Sequence, residues 1–233
     1  MKKFFAFFLV LVLVLSANSA FAAGKLSVEK ENFYVTSGWS IYGTAFAKVT
    51  NTGDAPIAIN TGLLEIYNAE GDALTSTDYY SDPARYLQPG EYTYVKIYDE
   101  IESIEEPSEA TSYMLNITGK EESYYVTQRF PCTATYEPDS GDGYLSYDCL
   151  YATFTNDTDE TVYGINVVIA LLDAEGNILY VTTDGLYSSI GLAPGSSVTF
   201  CEYIDSDFVE YFEKNGLQPA TVDSIAYVYV EEN

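Results

Sequence analysis

The chain has 233 residues, with 35 Asp and Glu against 10 Lys and Arg, and a formal charge of −25. Such a surface repels phosphate backbones and anionic lipid, which excludes nucleic acid as a partner, while 47% apolar and 15% aromatic content excludes a disordered acidic chain. Histidine is absent, which removes Ser-His-Asp and Cys–His nucleophilic chemistry and most transition-metal catalysis.

Lys2 and Lys3 precede an unbroken apolar run from Phe4 to Leu15, followed by small residues around Ala20-Phe21-Ala22. A charged start, a short apolar core and an Ala-x-Ala site read as a bacterial secretory signal peptide over residues 1–22. The run falls short of the roughly 20 residues that span a bilayer core. Cleavage after Ala22 leaves 233 − 22 = 211 residues and, without Lys2 and Lys3, a charge of −27. No Cys follows the cleavage site, so no lipid anchor and no membrane insertion are expected. The mature protein is expected to be secreted and extracellular, or periplasmic if the source is Gram-negative.

The rest of the chain repeats itself. Residues 47–95 overlay 152–200 at a constant offset of 105, with 12 of 49 paired positions identical. Asn51 falls on Asn156, Ala69-Glu70-Gly71 on Ala174-Glu175-Gly176, and Leu87-x-Pro89-Gly90 on Leu192-x-Pro194-Gly195. A duplicated turn framework under divergent side chains implies two copies of one small fold. The expected division is 23–119 and 120–233, with the boundary near Gly119-Lys120-Glu121-Glu122; Tyr124–Phe130 could close either copy.

In copy one, Ile41–Asn51 alternates, with Gly43, Ala45, Ala47 and Val49 on one face and Tyr42, Thr44, Phe46 and Lys48 on the other. That is the period of a strand with one side in a core. In copy two, Leu150, Ala152 and Phe154 point inward, and Cys149, Tyr151 and Thr153 outward. The next strands end at Ile66-Tyr67-Asn68 and Leu171-Leu172-Asp173. Each meets an Ala-Glu-Gly turn whose glycine accepts a positive φ. A Pro-Gly turn then precedes strands Tyr92–Tyr98 and Ser197–Tyr203. Final strands are predicted at Ser112–Thr118 and Ser224–Val230. Short strands between regularly spaced turns describe an all-β protein of two tandem β-sandwich domains. One helix is predicted over Asp207–Lys214, capped at Ser206 and stopped at Asn215-Gly216, with Phe208 and Phe212 on its apolar face.

The segments Leu64-x-Ile66-Tyr67-Asn68 and Ile169-x-Leu171-Leu172-Asp173, each followed by Ala-Glu-Gly and Leu-x-Pro-Gly, resemble the FxLYD domain. That family is a small immunoglobulin- or fibronectin-type-III-like β domain of secreted and envelope-bound bacterial and archaeal proteins. Strands ending at Asn51 and Asn156 before a polar turn add to the likeness, which covers about 50–60 residues of each copy. Leu64 and Ile169 stand where the family name has Phe, Leu172 where it has Tyr, and Asn68 where it has Asp. The resemblance implies architecture and no catalytic residues.

All three cysteines lie in copy two. A hairpin turning between Ser140 and Gly141 would place Cys132 opposite Cys149, the expected disulfide; Cys149–Cys201 and three free thiols are the alternatives. A zinc site would lack a fourth thiolate. Glu137, Asp139 and Asp142 around Gly141 and Gly143 offer oxygen ligands, but the spacing fits no EF-hand, and a polar hairpin explains it equally well. No metal and no cofactor are expected. No carboxylate sits in a motif that fixes a catalytic separation, so the chain reads as a non-enzyme. Asn116-Ile117-Thr118 and Asn156-Asp157-Thr158 match glycosylation sequons.

The candidate binding residues are Tyr79, Tyr80, Tyr86, Tyr92 and Tyr94, clustered after the first Ala-Glu-Gly turn; exposed Tyr supplies rigid contact area plus a hydroxyl. The competing reading packs these rings against the other domain or the segment Leu26–Tyr34. Trp39 is either a core lid or a contact. The function expected is a non-catalytic binding or adhesion module for an extracellular protein or glycan. The alternative is a structural, self-assembling spacer whose sheet edges pair with another chain.

Overall fold

The computed structural model describes residues 23–81, 83–121, 124–141 and 146–231. Residues 1–22, expected to be a signal peptide, and residues 142–145, including Asp142 and Gly143, lie outside them. The described residues form an all-β molecule in which every strand pairing is antiparallel.

In the N-terminal half, β1 (Leu26–Ser37), β2 (Ile41–Asn51) and β6 (Tyr92–Glu100) form one sheet in that order. The second sheet centres on β3 (Ile57–Tyr67), which pairs with β4 (Ala73–Thr77), β5 (Tyr86–Leu87) and β7 (Ser112–Glu121). Ala45, Ala47 and Val49 of β2 and Val95 and Ile97 of β6 meet Ile59, Leu64 and Ile66 of β3 in a closed apolar layer. Gly43 continues that row because a Cβ there would overlap Ile66. In the C-terminal half, β13 (Ser197–Tyr203), β10 (Ser146–Thr155) and β9 (Cys132–Gly141) form one sheet in that order. The other runs from β12 (Ile178–Leu186) through β11 (Ile165–Leu172) and β14 (Thr221–Glu231) to β8 (Tyr125–Phe130). The segment that could close either copy is therefore β8, hydrogen-bonded to β14 of the second.

The repeat extends to strand register. In the β2–β6 ladder Ala47 faces Val95, and at the same offset Ala152 faces Phe200 in the β10–β13 ladder. Thr44↔Tyr98 recurs as Cys149↔Tyr203, the rung at which the second ladder stops. Leu64↔Thr77 recurs as Ile169↔Thr182, and the bulge between Ile66 and Tyr67 recurs between Leu171 and Leu172. Ile57↔Leu87 recurs as the isolated bridge Val162↔Leu192.

The residues common to both copies explain the common register. Asn51, fully buried, donates through Nδ2 to the carbonyls of Ala55 (2.8 Å) and Leu87 (2.9 Å). Asn156 donates likewise to Glu160 and Leu192, both at 2.8 Å. The amides of Gly90 and Gly195, both at positive φ, donate to the backbone carbonyls of Asn51 and Asn156. Each Asn thereby pins a polar turn to the Pro-Gly corner, satisfying groups that burial would otherwise leave unpaired. Asn68 and Asp173 close the Ala-Glu-Gly turns in the same way, each Oδ1 accepting two backbone N–H bonds.

The helix α1 spans Ser206–Asn215 and ends at Gly216 in the left-handed region, close to the predicted span. Its counterpart in the first half is reduced to a 3-10 turn, Pro107–Glu109.

The expected Cys132–Cys149 disulfide is not formed; all three cysteines are free. The predicted turn residues Pro138–Gly141 instead continue β9, and Gly141 pairs with Ser146 of β10. Cys132 consequently faces Phe154, and Cys149 faces Glu137. Cys201 lies opposite Tyr151 and Cys149 opposite Tyr203, which makes those two cysteines diagonal neighbours. Diagonal Cα atoms stand about 7–8 Å apart, beyond the roughly 6.8 Å that a disulfide reaches.

Candidate functional site

One face of the β1-β2-β6 sheet carries the site. Alternation places Tyr34 and Thr36 of β1, Tyr42, Thr44, Phe46 and Lys48 of β2, and Tyr92, Tyr94, Lys96 and Tyr98 of β6 on the side away from the first apolar layer. Most of this face is not free. Phe46 is fully buried, against Tyr180 (5.8 Å between centroids) and Phe208 (5.6 Å) of the other half. Tyr34 donates to the Ile178 carbonyl at 2.8 Å and meets Tyr211 edge-on. Phe46 does point away from its own sandwich, as the alternation requires, but the second half covers it.

The candidate tyrosines divide across this seam. Tyr92 and Tyr94 donate to the same Asp223 oxygen, each at 2.8 Å, and Tyr94 is only 2% exposed. Burial, with the Asp223 carboxylate adding to it, raises the Tyr92 phenol to about 12 and pushes Tyr94 up as well. Tyr86 packs edge-on against Tyr229 at 5.0 Å. Tyr80 turns into the first apolar layer and bridges to Ile97. Tyr79 alone of the five is exposed, at 62%. The rings expected to present a surface are mostly those that join the halves.

Beyond the seam the same face opens. The rungs Thr44↔Tyr98 and Thr36↔Tyr42 border a cavity of about 500 Å³ that also includes Trp39, Lys96, Asp205, Ser206, Asp207 and Phe208. Trp39, at the β1–β2 turn, is fully solvent-exposed. Tyr98 meets Tyr42 at 6.4 Å and Tyr79 at 6.0 Å, the latter pair perpendicular. Gly38 lets this turn approach α1, because a Cβ there would overlap the Asp207 carboxyl.

Lys96 forms the floor. Its ammonium lies 4.9 Å from the Tyr180 ring, 5.3 Å from the Tyr98 ring and 3.7 Å from the Asp205 carboxylate. Burial pulls its pKa below the ordinary lysine value, against the pull of Asp205. Burial also raises the Glu202 carboxyl, with Asp184 and Asp205 adding to the effect and a Thr182 hydroxyl opposing it. A second, neighbouring depression shares Asp205 and Ser206 and brings in Tyr147 and Tyr203, whose rings are 5.0 Å apart.

Sequence reasoning missed Tyr42 and Tyr98. The signal was present, because Tyr98 continues the period-two series of Tyr92 and Tyr94, and Tyr42 belongs to that of Thr44 and Phe46. Among the described residues no cluster of three or more metal-ligating side chains occurs, and no helix is long and apolar enough to cross a membrane.

No protein family model matches the chain, and no curated protein matches it. Among solved structures, a chain of the T13 IBDV viral particle aligns over 93% of this chain at 12% identity, with a TM-score of 0.20. This chain spans 66% of the length of that one. A likeness at that level carries no argument about fold or function.

Proposed function

We propose that this is a secreted, non-catalytic binding or adhesion module made of two FxLYD-like, immunoglobulin-type β domains in tandem, recognising an extracellular protein or glycan. The observation that carries this reading is the open groove of Trp39, Tyr42 and Tyr98, with the exposed Tyr79 packed on Tyr98, at the end of an otherwise buried sheet face. A fully exposed Trp sharing a groove with two Tyr rings is apolar contact area kept out of the core, and aromatic anchors of this kind dominate binding energy at interfaces. The duplicated framework supplies rigidity, with chemistry absent from the proposed role.

The test uses mature protein, residues 23–233, screened against arrays of extracellular glycans and peptides at physiological salt, beside a Trp39→Ala/Tyr79→Ala variant. Saturable binding that the variant loses is the expected result. Equal binding by both proteins would remove the groove from the function.

A second reading, self-assembly through sheet edges, rests on β1, which has β2 as its sole sheet partner among the described residues. Concentration-dependent oligomers in light scattering would favour it over the groove.

A further inference from the structure

The sequence is poor in cations and rich in tyrosine, and it places half of its described cations on its rings. Eight Lys and Arg lie among the described residues, and four of them, Lys48, Arg85, Lys96 and Arg129, sit over tyrosine rings at 4.1–5.8 Å. At the groove floor the arrangement is complete: a cation between two rings, with a carboxylate beside it. The groove carries further rings, Trp39 and Tyr42, and one further carboxylate, Asp207, on its open side. None of the described Lys or Arg side chains lies over Trp39, Tyr42 or Tyr79. Asp207 lines the same cavity as Trp39 and Tyr42, whereas Asp205 is already held by Lys96 and by the Tyr180 hydroxyl at 2.9 Å.

We infer that the groove takes a cationic, arginine-bearing segment of a partner protein, stacking a guanidinium on Trp39 or Tyr42 beside Asp207. This rests on the binding-module reading above and names its partner. Charge complementarity favours it: the chain carries −25 overall, and a basic segment is drawn to it while acidic glycans and peptides are repelled. Arginine is preferred to lysine because the guanidinium is planar, more weakly hydrated and able to pair with a carboxylate while stacked.

Trp39 is the sole Trp of the chain, so its fluorescence reports on the groove directly. Mature protein would be titrated at physiological salt with an Arg-Ser repeat peptide, its Lys, Gln and Glu counterparts, and cellohexaose. The expected result is a saturable change in Trp39 emission with the Arg peptide, weaker by several-fold with Lys and absent with Gln and Glu. Calorimetry with Trp39→Ala should show about tenfold weaker Arg-peptide binding, at an unchanged melting temperature because the side chain is exposed. Asp207→Asn should also weaken it.

Equal affinity for the Arg and Lys peptides, undiminished by Trp39→Ala, would mean attraction to the general field and would overturn the proposal. Saturation by cellohexaose with no Arg-peptide response would overturn the cationic partner while leaving the binding module standing. Silence from every probe would overturn it too, and the array comparison then decides whether the wider reading survives.

Discussion

Asn51 and Asn156 show how a single side chain can set the spacing of two strands and a corner. Each uses both amide hydrogens on carbonyls four and 36 residues away in the chain. Asn51→Asp keeps the shape but removes both donors and buries a charge. It should cost about 3 kcal/mol in urea unfolding, and Asn156→Asp a similar amount. Burial of Asn156 also removes its sequon from the accessible surface. The free thiols should separate by exposure: Ellman's reagent should modify Cys201 first, Cys132 more slowly, and Cys149, at 1% exposure, only on unfolding. Rapid reaction of Cys149 in the native protein would contradict its placement.

Among the elements, α1 illustrates a helix held by what it covers. Its Phe208 and Phe212 are both 4% exposed and meet Tyr34 of β1 edge-on. A ten-residue helix is marginal on its own in water, so packing must supply its stability. Phe208→Ala should therefore cost about 3–5 kcal/mol, and far-ultraviolet circular dichroism should show the helix weakened in the folded variant. A loss below about 1 kcal/mol would mean that the helix does not close the seam. The sequence identified the helix and its two rings; the fold shows that Phe208 packs on Tyr180 of its own half and also on Tyr34 and Phe46 of the other.

Across the whole molecule, the seam joins unlike faces of the two copies. Beyond the Asp223 pair, Lys30 donates to the Glu175 carbonyl, Arg129 pairs with Glu91 at 3.1 Å, and Tyr229 donates to the Pro83 carbonyl. The corresponding face of the second copy is polar, with Thr153 bonded to Thr199 and Thr155 to Ser197. The seam should loosen in alkali. Tyr34 and Tyr92 are both raised to about 12, chiefly by burial, from an unfolded value near 10. A raised pKa contributes stability that is complete below about pH 10 and lost as pH climbs towards about 12. Urea midpoints should fall across that window. Asp223→Asn should separate the unfolding of the two halves into distinct transitions; a single unchanged transition would show that the seam does not couple them.

The strands and turns shared by the two copies, and their duplication, were legible in the amino-acid order, because they depend on local causes: period-two alternation, Pro-Gly dihedrals, an Asn that bonds its own turn; β1 and the run of β9 through Pro138–Gly141 were not. β2 and β13 coincide with the predicted limits, and α1 nearly so. Which outward-facing rings are buried and which are open was not legible there, since it depends on how one half packs on the other. Tyr94 and Tyr98 lie on the same strand face, yet one is 2% and the other 38% exposed. Alternation gives them the same direction, and the edge of the second half falls between them. The hairpin of β9 and β10 was settled at the same level, since a shift of register there changed the cross-strand partners of Cys132 and Cys149.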